Sequence, residues 1–150
     1  MRTIRLALLA LPLLWAGCGS DLRSVEDLRS RTVTLPGGQK IKAEMKIHPQ
    51  DILTGMKFRD SLPEDRGMLF MYGKSGSCAF WTYEVKVPLD IVWMDQNRYI
   101  VEIYANAKPC PGPPEKCLVY GGHRESMYIL ELAGGMAKKY NLAVGQQLDF

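Results

Sequence analysis

The sequence predicts a mainly β domain, a compact antiparallel β-sandwich or partly closed barrel with one or two short helices. Two observations predict this class. Short runs of alternating apolar and polar residues recur along the chain, which is the pattern of half-buried strands. Glycine, proline and other turn-forming residues separate these runs, and few stretches have helical periodicity. Many short strands with little helix are typical of sandwiches and barrels.

The first predicted elements are a hairpin and a short helix. Apolar residues alternate over residues 33–35 and again over 41–47, and the sequence PGG between them favours a turn. Residues 49–56 form the predicted helix. Pro49 suits its first turn, where a missing backbone N–H breaks no helical hydrogen bond.

The rest of the chain is predicted to be mostly strand. Apolar or alternating runs cover residues 68–72, 78–85, 89–94, 99–105, 127–132 and 146–150. Residues 73–77 are expected to form a flexible loop because they are rich in glycine and serine. Gly134 and Gly135 precede a second short helix that runs through Tyr140, and Asn141 suits its left-handed end.

The N-terminal segment has the three parts of an export signal. Arg2 and Arg5 supply the positive start, residues 6–15 form an apolar core, and small residues at 16–17 precede Cys18. As a helix, this core would extend about 15 Å. That is half the hydrocarbon thickness of about 30 Å, so the segment does not suit a transmembrane anchor.

The small residues before Cys18 predict a bacterial lipoprotein, in which this cysteine is acylated and becomes the N-terminus. The predicted organisation is a signal peptide at 1–17, a polar tether at 18–31 and a single β-rich domain at 32–150. The predicted location is the bacterial cell envelope, with the exported chain lipid-anchored to a membrane. Trp15 stands where such signals usually have Leu. The alternative is ordinary secretion, with Cys18 a plain thiol.

The charge of the chain gives no support for nucleic-acid binding. The full sequence has 19 Lys+Arg and 16 Asp+Glu, a net charge of +3. Removing Arg2 and Arg5 with the signal leaves 17 Lys+Arg and lowers the net charge from +3 to +1. The sequence contains no clustered basic stripe.

The remaining cysteines suit an oxidising compartment. Cys110 and Cys117 bracket the loop CPGPPEKC, and a disulfide between them would stabilise the fold by roughly 2.5 kcal/mol. A metal site is disfavoured because neither His48 nor His123 has a suitable spacing from them. Cys78 is then the odd thiol, interpreted either as a nucleophile or as a small buried apolar residue, with the second favoured.

Three motifs resemble a known family. They are TGMKFRDSLPEDRGMLFMY, FWTYEVKVPLDIVWMD and YILELAGGMAKKYNLAVGQQL. The chain resembles the domain-of-unknown-function family numbered 192, a prokaryotic group often exported, from about Ala43 to the C-terminus. The resemblance implies a β-sandwich or barrel-like fold and implies no activity. Relatives usually have Met-Lys-Asn-Thr after Phe-Trp, whereas this chain has Thr82, Tyr83, Glu84 and Val85.

Four polar residues are candidates for a site or a structural pair: Arg59, Glu84, Asp90 and Glu131. Asp90 is interpreted either as a general base or ligand contact, or as a structural residue that caps a turn or pairs with Arg59, and the structural role is favoured. Glu131 alternates with two leucines, so it lies either on a solvent face or buried beside an arginine.

Aromatic residues supply the candidate binding surface. Phe80 and Trp81 point to opposite faces of a strand, so one is expected in the core and the other exposed or in a groove. Trp81 and Tyr83 are the candidate binding aromatics. A hydrolase triad of Asp90, His123 and Ser126 is disfavoured because no nucleophile elbow is present.

The favoured function is a membrane-tethered accessory module of unknown biochemical activity that binds a small ligand or an envelope protein. Its partners are the membrane, through the acyl anchor, and that ligand or protein. No cofactor or metal is expected, and no catalytic motif is recognised. The alternative is an envelope enzyme whose polar site is formed by Arg59, Glu84, Asp90 and His123.

Overall fold

A six-stranded sheet forms the centre of the molecule in a computed structural model that describes residues 29–150. The predicted signal peptide, Cys18 and the tether up to residue 28 lie outside the described residues. The strands are β1 (Ser30–Thr34), β2 (Lys40–Lys46), β3 (Arg66–Ser77), β4 (Phe80–Trp81), β5 (Leu89–Met94), β6 (Ile100–Ala107), β7 (Val119–Tyr120) and β8 (Glu125–Ala133). The helices are α1 (Pro49–Thr54), α2 (Met136–Lys139) and one 3₁₀ turn at Pro114–Lys116.

The sheet has the order β1-β2-β3-β8-β5-β6, and β4 pairs with β7 in a second, two-stranded sheet. The mainly β class with two short helices is therefore confirmed. All strand pairs are antiparallel except β2 and β3, which are parallel. A parallel pair needs a long connection between its strands, and residues 47–65, which include α1, provide it.

The C-terminal segment joins the two outer strands of the large sheet. Thr34 at the end of β1 bridges Asp149, and Tyr99 before β6 bridges Gln147. The predicted strand at 146–150 is thus replaced by single bridges that close the sheet in part, as in a partly open barrel.

Two strands differ in length from the sequence prediction. The predicted loop at 73–77 belongs to β3, which pairs with β8 up to Ser77 after a register shift between Met71 and Gly76. The predicted strand at 78–85 is reduced to β4, because the next residues bond to a loop instead of a strand. Thr82 donates its hydroxyl to Lys108 O at 2.7 Å, for example. At the other end, Ser30 begins β1, so the tether ends before residue 31.

Both faces of the large sheet are buried. Side chains alternate along β8, where Leu130 and Leu132 join one core cluster and Ile129 joins the other. The first face packs against α2 and the C-terminal segment, through residues such as Leu148. The second face is covered by α1 and by the segment that carries β4, through residues such as Phe80. All six residues of β5 are buried as a result.

The cysteine prediction is confirmed for the described residues. Cys110 and Cys117 form a disulfide with Cα atoms 5.7 Å apart, and Cys78 is a free, half-buried thiol. The disulfide loop lies beside the chain that follows β4, since Glu84 N donates to Cys110 O at 2.8 Å.

Candidate functional site

A cavity of about 450 Å³ opens on the second face of the sheet. The residues that line it come from α1 and the turn after it, from β3 and β8, and from the segment around β4. They are Ile52, Leu53, Thr54, Gly55, Met56, Lys57, Phe70, Tyr72, Ala79, Phe80, Trp81, Tyr83, Val85 and Glu131. Its volume lies within the range of pockets that hold small molecules, about 300–1,000 Å³.

Aromatic rings form one wall of this cavity. The Trp81 and Tyr83 ring centroids are 5.3 Å apart, and Trp81 is 44% exposed. Phe80 points the other way and packs edge-on against Phe70 in the core, with centroids 4.9 Å apart. The two candidate binding aromatics therefore meet beside one cavity, and the predicted opposite orientation of Phe80 and Trp81 is what the structure has.

Glu131 lies in the cavity lining at the sheet itself. It is 3% exposed, and its Oε2 atom is buried without a hydrogen-bond partner. Burial raises the pKa of Glu131 to about 8, although the positive charge of Lys46 opposes the rise. Of the two alternatives for Glu131, the solvent face is wrong, because α1 and the β4 segment cover this face as well. Glu131 is buried, as the other alternative had it, but the positive charge that acts on it is that of Lys46 and not that of an arginine.

The neighbouring lysine and arginine do not satisfy this free oxygen. Lys46 Nζ pairs with Glu44 Oε1 at 2.6 Å, and Arg59 pairs with the other oxygen of Glu44. Tyr72 lies on the same face, and burial raises its pKa to about 12, with smaller contributions from Cys78 and Glu131. A neutral phenol and an unpaired carboxyl group therefore both line the cavity.

Asp90 is a structural residue on the opposite face of the sheet, where it is fully buried. It accepts hydrogen bonds from three backbone N–H groups, those of Asn106 (2.7 Å), Gly135 (3.0 Å) and Ala137 (2.6 Å). These bonds fix the start of α2 to β5 and β6. The predicted Asp90–Arg59 pair is wrong, because backbone donors supply all three contacts and Arg59 pairs with Glu44.

The residues of the alternative enzyme site do not converge. Glu84 pairs with Lys57 at 3.3 Å, and His123 contacts Glu102 through Nδ1 at 2.6 Å. Asp90 faces α2, while Arg59 faces β2. Each of the four therefore has a different partner.

The serine of the disfavoured triad also has a partner of its own. Ser126 donates its hydroxyl to Gly76 O at 3.5 Å, so it is not aligned with Asp90 or His123. Burial raises the pKa of the Cys78 thiol, with an opposing hydrogen bond from Ser126. A raised pKa lowers the thiolate fraction, which disfavours Cys78 as a nucleophile.

The backbone at position 84 suits Asn, the residue that the family resemblance implies there. Glu84 has a φ of 60°, in the left-handed region. Asn adopts this conformation more readily than Glu does. Val85, where the resemblance implies Thr, is buried in the core of the second face. These two differences from the implied pattern therefore lie at a residue with positive φ and at a core position.

Three residues of this region were not predicted from the sequence. Tyr72 follows Phe70 on the same face of β3, so an alternation of two residues could have placed it. Lys57 lies in an irregular turn after α1, and no periodicity marks it. Lys46 is the last residue of β2, and only the parallel pairing with β3 places it near Glu131.

Within residues 29–150 there is no group of three or more His, Cys, Asp or Glu side chains that could hold a metal ion. In the same range no helix has the length and apolar character needed to cross a membrane.

The fold and the cavity together define a class, a small mainly β domain with an aromatic-lined pocket on one sheet face. The chain belongs to the domain-of-unknown-function family numbered 192, described as an uncharacterized ACR, whose model matches residues 32–150. The family resemblance is thus confirmed. No curated protein matches this chain.

Two solved structures have the same fold. A protein of unknown function from Novosphingobium aromaticivorans DSM 12444 is 25% identical, with a TM-score of 0.69 over 81% of this chain and 84% of that chain. A protein from Sinorhizobium meliloti 1021, named as a candidate transcription regulator, is 24% identical. Its TM-score is 0.68 over 79% of this chain and 89% of that chain, and this likeness shows the fold alone.

Proposed function

We propose that this protein is a ligand-binding module of the bacterial cell envelope, tethered to a membrane through acylated Cys18. The ligand is a small amphipathic molecule that enters the cavity beside Trp81 and Tyr83. One observation carries the proposal: Glu131 Oε2 is buried without a partner in the lining of a cavity that Trp81 and Tyr83 also line. A buried polar group of this kind usually has a hydrogen-bond partner, and a ligand would supply it.

Binding is favoured over catalysis by what surrounds the cavity. A reaction needs a nucleophile, a base or a metal in mutual reach. The polar residues considered for an enzyme site are each paired elsewhere, as Glu84 is with Lys57 and His123 with Glu102. The cavity instead combines apolar and aromatic walls with a few polar side chains, such as Thr54, Lys57 and Glu131, which is typical of small-molecule sites.

The ligand proposal is tested by native mass spectrometry of the full chain purified from bacterial membranes. Wild-type protein should carry a bound small-molecule mass that Trp81→Ala loses. Tyr99→Ala is the matched control, because Tyr99 is 43% exposed but lies outside the cavity lining. Identical spectra for wild type and Trp81→Ala would contradict the proposal.

The tether proposal is tested separately with Cys18→Ser. Wild type should fractionate with membranes and incorporate labelled fatty acid, whereas the variant should be soluble and unlabelled. Cys78→Ser is the control for loss of a thiol, because Cys78 is the free cysteine of the folded domain. Wild-type protein that is soluble and unacylated would exclude the lipoprotein anchor and leave ordinary secretion.

A further inference from the structure

The free oxygen of Glu131 requires a hydrogen-bond donor that its charged neighbours do not provide. Lys46 pairs with Glu44 at 2.6 Å, and Lys57 pairs with Glu84 at 3.3 Å. Lys57 lines the cavity, and the charge of Lys46 acts on Glu131, yet each lysine already pairs with another carboxylate. A buried carboxyl oxygen without a hydrogen-bond donor is energetically unfavourable. A ligand that donates a hydrogen bond to this oxygen would remove that unfavourable contribution.

The aromatic wall accepts positive charge. Lys57 Nζ lies 4.9 Å from the centroid of the Tyr83 ring, a cation–π contact. Trp81 stands beside Tyr83, with ring centroids 5.3 Å apart, and offers a further aromatic surface at the mouth. An aromatic wall that shares a cavity with a carboxylate suits an organic ammonium ion, because the rings tolerate its positive charge and pack against its apolar body.

We infer that the ligand carries an ammonium group, which donates a hydrogen bond to Glu131 Oε2 while its apolar body packs against Trp81 and Tyr83. This inference rests on the proposed function, because it names the chemical class of ligand for the same cavity. Apolar residues of α1 and the turn after it, such as Ile52 and Met56, line the space for the body of the ligand.

Two other ligand classes predict different behaviour. A carboxylate ligand would face the Glu131 carboxyl group and would have to compete with Glu84 for Lys57. An alcohol would accept a hydrogen bond from protonated Glu131, so its binding should weaken as the pH rises. An ammonium ligand needs ionised Glu131, so its binding should strengthen as the pH rises.

The pH range follows from the groups that face Glu131. Burial raises its pKa to about 8, so it is mostly protonated at pH 7. Lys46 on β2 and Tyr72 on β3 interact electrostatically with it, and Lys57 lines the same cavity. Tyr72, with a pKa of about 12, stays neutral. The apparent affinity for an ammonium ligand should therefore rise about ninefold from pH 6 to pH 7 and about fivefold from pH 7 to pH 8, with release of a proton.

Isothermal titration calorimetry of the full chain with three probes of similar shape tests the inference. The probes are phenethylammonium, phenethyl alcohol and hydrocinnamate, each measured at pH 6, 7 and 8. Phenethylammonium should bind most tightly at pH 8 and lose about 50-fold in affinity at pH 6. Tighter binding of either other probe would overturn the ammonium inference and leave the cavity as a ligand site. Failure of all three probes to bind would contradict the proposed function as well.

Two variants test whether the preference for ammonium over alcohol depends on Glu131. Glu131→Gln keeps the size of the side chain and removes the charge, so the preference for ammonium over alcohol should fall at least tenfold. Glu125→Gln is the matched control on the same strand, because Glu125 is exposed. Equal loss in both variants would overturn the inference. The pH series on wild type stands independently should Glu131→Gln fail to fold.

Discussion

Asp90→Asn should destabilise the fold, and the structure sets the size of the loss. Asp90 is fully buried and accepts three backbone N–H groups, two through Oδ1 and one through Oδ2. Asn keeps one oxygen and replaces the other with an NH₂ donor. With its oxygen in the Oδ1 position, the variant preserves the bonds from Asn106 and Gly135, but the Ala137 N–H then faces another donor.

The expected loss combines two terms. Hydrogen bonds to a charged acceptor contribute about 1.5–3 kcal/mol each, and a buried donor left unsatisfied costs about 1–3 kcal/mol. A loss of about 3 kcal/mol in the free energy of unfolding is therefore expected, a large share of a typical total of about 5–15 kcal/mol. For a domain of this size it corresponds to a fall of about 10 °C in Tm.

Urea and thermal unfolding of the full chain measure this loss. Asp149→Asn is the control, because Asp149 is an exposed carboxylate that pairs with Arg98 at 3.3 Å and should contribute little. Unchanged or increased stability of Asp90→Asn would refute the structural role and indicate a strained functional carboxylate. Arg59→Met should cost little, and its effect should add to that of Asp90→Asn, because Arg59 pairs with Glu44 instead.

The remaining predictions concern a buried acid, the disulfide and one glycine. Burial raises the pKa of Glu131 from 4.5 to about 8, so the unfolded state loses this proton at a lower pH than the folded state does. Wild-type stability should therefore fall as the pH rises from 5 to 8. The loss is on the order of 4 kcal/mol, and urea unfolding should show a much shallower fall in Glu131→Gln. Replacing Cys110 and Cys117 with Ser should lower the free energy of unfolding by roughly 2.5 kcal/mol, and alkylation without reduction should label neither cysteine in wild type. Gly121→Ala places a Cβ 2.2 Å from a buried tryptophan ring at a φ of 65°, so its Tm should fall far more than that of Gly73→Ala, where the space is open.

Local patterns predicted many of the elements, because alternation and turn residues act over a few positions. The predicted strand at 89–94 matches β5. Asn141 has a φ of 53°, the left-handed conformation expected after the second helix. The disulfide was predictable as well, since its cysteines are close in sequence and prolines shape the loop between them.

The partners of the polar residues were not predictable in the same way. Alternation placed Glu131 on the sheet face away from Leu130, but it does not show what packs on that face. Helix α1 and the β4 segment, which are distant in sequence, cover it. Asp90 and Arg59 stand in strong motifs, yet the sequence does not reveal that one faces α2 and the other faces Glu44. Contacts between elements distant in sequence therefore determine the burial of Glu131 and the partners of Asp90 and Arg59.

The proposed ammonium ligand depends on the ionisation of Glu131, which can be measured site by site. Carbon-13 NMR of the side-chain carboxyl groups, with the Glu131 signal assigned from Glu131→Gln, would follow its titration in free protein and in protein saturated with phenethylammonium. We expect a pKa of about 8 in free protein, since the carboxyl group is buried without a donor at Oε2. We expect a clearly lower pKa in the saturated protein, because the bound ammonium group stabilises the charged form. A Glu131 pKa that is unchanged on saturation would contradict an ammonium group bound to Glu131.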